Sequence, residues 1–179
     1  MSRFVLLDRD GVINEDSDDF IKSPEEWQPI VGSLEAIALL NAHGYKIAVI
    51  TNQSGLARGL FDVAMLEKIH AKMCRLVSAK GGKIDAIYYC PHGADSACHC
   101  RKPQPGLLEQ CAAEHQVTLT DTFFIGDSLR DLQAALAVNA KPMLVKTGKG
   151  KKTLTQLPNL NIPVFDTLYD AANHIVSGQ

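Results

Sequence analysis

The sequence predicts an α/β fold, a doubly wound parallel sheet without a large cap domain and with a zinc-bound loop. Three observations predict it. Short apolar runs alternate with segments of helical period, the pattern of βαβ units around a parallel sheet. Polar clusters rich in acids and hydroxyls follow three of those runs, at the strand ends where open α/β sheets bind ligands. A group of cysteines and histidines with metal-ligand spacing follows the third run. The 179 residues suffice for one domain around one core, taken as 1–179.

Phe4 to Leu7 reads as the first buried strand. A helix over Leu34, Ile37 and Ala38 follows, capped by Ser33 and stopped at Gly44. Tyr45 to Ile50 is the second strand. Asp62 caps a long helix that puts Leu66, Ile69, Met73 and Val77 on one face. Ile84 to Tyr89 is the third strand, and a helix carrying Leu107, Leu108 and Cys111 follows Pro105. Thr122 to Ile125 is the fourth strand, followed by a helix over Leu129, Leu132, Ala135 and Leu136. Met143 to Val145 and Val164-Phe165 complete the sheet, with a last helix from about Asp170. The stretch Gly148-Lys149-Gly150-Lys151-Lys152 reads as a mobile basic loop.

Eighteen Lys and Arg against 20 Asp and Glu give a net charge of −2, which argues against broad nucleic-acid binding. The sequence has no apolar stretch of membrane-spanning length, and no membrane partner is expected. The apolar run after Met1 is too short for a signal peptide, so a cytoplasmic location is expected; a monomer is expected as well. In a reducing compartment, clustered cysteines suggest metal ligands before disulfides.

Asp8-Arg9-Asp10-Gly11 follows the first strand and can direct a side chain and a backbone carbonyl at one cation, with Gly11 turning the chain away. Thr51-Asn52-Gln53-Ser54-Gly55 offers a hydroxyl and amides suited to phosphate oxygens. Arg101-Lys102-Pro103 supplies two adjacent cations, one a fork and one a point charge. Gly126-Asp127-Ser128-Leu129-Arg130-Asp131 places two acids at a strand-to-helix junction, where Asp127 either caps the helix or joins an oxygen-rich magnesium site. Taken singly, each also fits an ordinary polar turn. Their order at successive strand ends is what points to chemistry.

These motifs resemble the haloacid-dehalogenase superfamily of phosphatases across nearly the whole chain. Asp8 to Asn14 matches the first motif, Thr51 the second, Lys102 the third, and Asp127 with Asp131 the fourth. The resemblance implies that Asp8 attacks phosphorus and becomes phosphorylated. Asp10 then serves as general acid and afterwards as base. Mg2+ is expected on Asp8, the Asp10 carbonyl and Asp127. Thr51, Arg101 and Lys102 are expected to stabilise the transferred group. Arg9, Asn52, Gln53, Ser54 and Arg58 join them as substrate contacts, and Asp131 orients Lys102 or a metal-bound water.

Cys90-Pro91-His92 and Cys98-His99-Cys100 place four soft or borderline ligands within eleven residues. Cys90, His92, Cys98 and Cys100 suit a closed tetrahedral structural Zn2+ site, with His99 turned away. Cys74 and Cys111 read as core. A loop of this kind before Arg-Lys-Pro resembles two uncapped subgroups, one acting on heptose bisphosphate and one on histidinol phosphate. The short gap leans to the second. The segments Thr51 to Gly59, Arg101 to Gly106 and Val145 to Gly150 lean to the first, which implies a sugar bisphosphate substrate and a step in lipopolysaccharide-core heptose synthesis. Arg58, Arg101 and Lys146 are candidates for the second phosphate. A zinc-stabilised binding module without catalysis is the competing class, and the intact acid set argues against it.

Overall fold

The computed structural model describes residues 3–178. Six strands form one wholly parallel sheet: β1 (Arg3–Leu7), β2 (Tyr45–Asn52), β3 (Ala86–Cys90), β4 (Phe123–Gly126), β5 (Lys141–Val145) and β6 (Val164–Phe165). Their order is β3-β2-β1-β4-β5-β6. The chain therefore winds outward in both directions from the β1/β4 pair, the switch point at which such sheets open a crevice.

The four buried residues of β1 alternate between two cores, as a strand covered on both faces must. Val5 and Leu7 join Ile37, Leu40, Ile69, Met73 and Ala172 on one side. These come from α1 (Ser33–Ala42), α2 (Val63–Ala79) and the last helix, Leu168–Ser177. Phe4 and Leu6 join Leu107, Leu108, Cys111, Ala134 and Ala135 on the other, under α3 (Gly106–His115) and α4 (Leu129–Ala137). Asp62 caps α2 as expected, accepting from the Met65 amide at 2.8 Å.

Three expectations need correction. Ser33 does not cap α1: Gly32 precedes the helix at φ 85°, and the Ser33 hydroxyl donates to Val12 O at 2.7 Å, tying the helix to the loop after β1. The third strand runs later than read, because Ile84 and Asp85 precede the ladder and Cys90 closes it. The basic segment is built in rather than mobile. It opens α5 (Gly150–Gln156), numbered before the terminal helix α6, and its Lys149 amide donates to Asp127 Oδ2 at 2.8 Å. Gly148 makes the close approach possible, since a side chain there would collide with Asp127 and Gly11.

Among the described residues no cap domain stands over the strand ends, and no helix is long and apolar enough to cross a membrane.

Candidate active site

Asp8 leaves β1 with its amide still donating to Ile125 O of β4 at 3.0 Å, so its side chain emerges at the switch point. Asp8 Oδ1 accepts from Lys102 Nζ at 2.9 Å and from the Arg9 amide at 2.8 Å. Lys102 is buried, and its ammonium reaches three acceptors: Asp8 Oδ1, Ile50 O at 2.7 Å and Asp131 Oδ1 at 2.7 Å. Its backbone is held by Asn52, whose amide accepts from Lys102 N at 3.0 Å and donates to Lys102 O at 3.1 Å. Asn52 thus lines the cleft and also fixes the lysine.

Asp131 serves two partners. Oδ1 pairs with Lys102, while Oδ2 accepts from the Asp127 amide, the Ser128 amide and the Ser128 hydroxyl at 3.2, 3.1 and 2.9 Å. This is a capping box, so Ser128 and Asp131, not Asp127, terminate α4. Asp127 is left facing Asp8, with Thr153 donating to its carbonyl at 2.8 Å.

The cleft over these groups has a volume of ≈ 260 Å³. Its floor is Asp8, Asp10, Lys102, Asp127 and Asp131. Its rim carries Arg58, Arg101 and Arg130, and also Asp16, Asp18 and Lys149, whose ammonium lies 3.5 and 3.9 Å from those two carboxylates. Arg58 lies over the Phe20 ring at 5.4 Å, joining two rim loops. Gln53 and Ser54 also line the cleft. Thr51 and Arg9, expected among the substrate contacts, are buried beneath it. The Thr51 hydroxyl accepts from Gln53 Nε2 at 2.9 Å, and Gln53 Nε2 also reaches Asp10 Oδ2 at 3.0 Å.

Acid, hydroxyl and ammonium groups now meet at the carboxyl ends of β1, β2 and β4, in the order the superfamily motifs require. A HAD-hydrolase-like family model matches residues 99–171. A D-glycero-β-D-manno-heptose-1,7-bisphosphate 7-phosphatase from Neisseria meningitidis is 51% identical over 178 residues, 97% of this chain and 95% of that protein. Another, from Pseudomonas aeruginosa, is 52% identical over 98% of this chain and 99% of its own length. The chain belongs to the heptose-bisphosphate phosphatase family. The crystal structure of D,D-heptose 1,7-bisphosphate phosphatase from Bordetella bronchiseptica, complexed with magnesium and phosphate, overlays with a TM-score of 0.96. It is 48% identical and covers 99% of both chains. These relatives favour the heptose subgroup over the histidinol one.

The electrostatics of the site favour a cation. Ligand oxygens of Asp8, Asp127 and Asp131 lie within 4.8 Å of one another. Burial, then the Asp131 charge, holds Asp8 well above the ordinary carboxylate range. Burial and Asp131 likewise push Asp127 up to about 7. Lys102 offsets only part of this, although its own pKa is raised because Asp131 and Asp8 outweigh its burial. Carboxylates crowded until they retain protons suit Mg2+, a hard cation that prefers oxygen donors.

The second ligand set also fits a metal. Cys90 Sγ lies 3.1 Å from Cys100 Sγ and 3.8 Å from Cys98 Sγ, and His92 Nδ1 lies 3.5 and 3.3 Å from Cys90 and Cys100. A tetrahedron with zinc–sulfur arms of about 2.3 Å has edges of about 3.8 Å, which the Cys90–Cys98 pair meets and the Cys90–Cys100 pair falls short of. His99 turns away to Glu109 at 2.7 Å. Cys111 is buried core, and Cys74 is half-buried on α2.

Sequence reasoning missed Arg130, Asn14, His70, Lys149, Asp16 and Asp18. Arg130 had a signal: it sits in the first turn of α4, where the helix dipole disfavours a cation. His70 had none, since a histidine on the apolar face of α2 reads as core.

Proposed function

We propose that this protein is a magnesium-dependent phosphatase that removes the C7 phosphate of D-glycero-D-manno-heptose 1,7-bisphosphate, with the phosphoryl group carried on Asp8. The observation that carries the reading is the convergence of Asp8, Asp10, Lys102 and Asp127 on one cleft, in a chain about half identical to full-length heptose-bisphosphate phosphatases.

The Asp8 carboxylate attacks phosphorus, forming the acyl phosphate as the C7–O–P bond breaks. Asp10 gives its proton to the departing alkoxide, then takes one from the water that hydrolyses the acyl phosphate. Burial raises the Asp10 pKa, but the Arg9 charge and hydrogen bonds from Asn14, Arg9 and Gln53 outweigh it and hold the group below the ordinary value. That keeps Asp10 ionised near neutral pH in the free site, the form that acts as base, so the proton it gives to the alkoxide is one taken up as the anionic substrate enters. Lys102, already aligned by Asn52, takes the phosphoryl oxygens with Thr51 beneath. Asp8, Asp127 and the Asp10 carbonyl would hold magnesium, which would supply neutralisation of the charge that gathers as the phosphate meets the nucleophile.

Arg58, Arg101 and Arg130 take the phosphate that does not react. Burial and then the neighbouring Arg130 charge lower the Arg101 pKa, as expected where guanidiniums gather. Histidinol phosphate would bring an ammonium to that rim, which the same charges disfavour. Cys90, His92, Cys98 and Cys100 would hold zinc, which would fold the loop that ends in Arg101 and Lys102. The reaction belongs to the cytoplasmic synthesis of nucleotide-activated heptose for lipopolysaccharide. The test is kcat/KM for heptose 1,7-bisphosphate and for histidinol phosphate, with and without Mg2+. The heptose substrate is expected to win only with the metal present, and a preference for histidinol phosphate overturns the assignment.

A further inference from the structure

Behind Asp10 lies a buried pair that the mechanism above leaves unused. Arg9 has no solvent exposure and His70, on α2, is only 8% exposed. Arg9 Nε and Nη2 donate to Asp10 Oδ1 at 3.2 and 2.9 Å, and Asn14 Nδ2 donates to the same oxygen at 2.9 Å. The third guanidinium nitrogen, Nη1, lies 3.1 Å from His70 Nε2. A guanidinium can only donate, so His70 Nε2 is the acceptor and the ring carries its proton on Nδ1. A charged imidazole there would face Arg9 directly. Burial, then the Arg9 charge, pushes His70 down to about 3, so the acceptor form persists at every working pH.

An ordinary buried polar pair would satisfy itself and end there. This one is aimed. Three donors occupy Asp10 Oδ1, which leaves no room for a proton on that oxygen. Among the described residues Oδ2 accepts from Gln53 alone, at 3.0 Å, and Asp10 lines the cleft. Proton exchange with substrate therefore falls to Oδ2, and its direction depends on where the guanidinium is held.

We propose that His70 is a positioning residue for proton transfer: it fixes Arg9, which with Asn14 occupies Oδ1 of Asp10 and presents Oδ2 to the leaving oxygen. The inference rests on Asp10 being the general acid, part of the function proposed above.

The leaving group provides the test. A sugar alkoxide cannot depart without a proton, whereas p-nitrophenolate can. The kinetic constant kcat/KM covers the steps up to departure of the first product, so it isolates the acid role. His70→Leu removes the acceptor and is expected to lower kcat/KM for heptose bisphosphate about 10- to 100-fold, part of the 10²–10⁴ a general acid supplies. For p-nitrophenyl phosphate the loss should stay within about 3-fold, because no acid is needed there. His70→Gln returns an oxygen acceptor near the Nε2 position and should restore most of the heptose activity. His70→Asn keeps a polar side chain but withdraws the acceptor, and carries the same expectation as His70→Leu if the latter folds poorly. Equal losses on both substrates, no loss on either, or no difference between Gln and Asn would overturn the proposal. Asp10→Asn in the same assay separates the two levels. If it shows no dependence on leaving group, the reading of Asp10 itself fails; if it shows one and His70→Leu does not, only this inference falls.

Discussion

Replacing Lys102 with Met keeps most of the side chain's length and removes its charge. In the wild type that ammonium lies 2.9 Å from Asp8 and 2.7 Å from Asp131, and all three groups are buried. Removing one partner of a buried pair costs about 3–5 kcal/mol because the other charge is stranded. For a domain of this size each kcal/mol moves Tm by about 2–4 °C, so the expected fall at pH 7 is about 6–20 °C without metal. The pH dependence identifies the cause. Lys102 holds Asp131 below the ordinary carboxylate value and tempers the rise of Asp8, so its loss moves both folded pKa values up from where the wild type has them. The native variant then binds more protons than the unfolded chain, so its stability rises as pH falls from 7 towards 5. The gap to wild type should therefore narrow over that window. Activity should fall about 10²- to 10³-fold in kcat/KM, the scale for one fixed donor on a charged transition state. The assays are thermal melts at several pH values in EDTA, and phosphate release with Mg2+. A Tm gap that does not change with pH, or activity within about 3-fold of wild type, would refute the role of Lys102 as counterion and phosphoryl ligand.

Three further outcomes are expected. In metal-free protein, Asp127 titrates near 7 when folded against 3.8 ordinarily, so stability falls as pH rises from about 4 to 7, by up to about 1.4 kcal/mol per pH unit for one proton. Excess Mg2+ should flatten this slope by replacing the proton, and a slope in urea unfolding indifferent to Mg2+ contradicts the site. Protein purified without added metal should carry about one zinc per chain, and stripping it should lower Tm and activity together; a zinc-free protein with unchanged melting removes the structural role. Arg130→Ala should lower kcat/KM for heptose bisphosphate more than for p-nitrophenyl phosphate, by about 1.5–3 kcal/mol, the worth of a charge-assisted hydrogen bond. Equal losses would detach Arg130 from the second phosphate.

The parallel sheet was legible because β1 and β2 are apolar runs bounded by glycine and acid, and α2 announces itself with Asp62 and a clean apolar stripe. Asp8 and Asp127 were legible because each directly follows a strand. What stayed hidden depended on three-dimensional return of the chain. Lys149 is 22 residues from Asp127, and only the close approach of Gly148 brings its amide to that carboxylate. The glycine and lysines around it suggested mobility, since their local composition says nothing of a partner across the cleft. Arg9 looked like a substrate contact from its place between two catalytic acids. Its burial follows from His70, 61 residues away on a helix face that otherwise reads as pure core. Asp131 gave an ambiguous signal for a different reason: one carboxylate caps α4 and pairs with Lys102 at once, and either role alone accounts for the residue type.

The account stands most directly on the phosphoryl group being carried by Asp8. The protein would be mixed with heptose 1,7-bisphosphate and Mg2+, quenched in acid during turnover and reduced with borohydride, and its peptides mapped by mass. An acyl phosphate is reduced to an alcohol, so the account predicts homoserine at position 8, dependent on substrate and metal and absent from Asp8→Asn. Continued turnover with position 8 unmodified, or modification at another carboxylate, would contradict it.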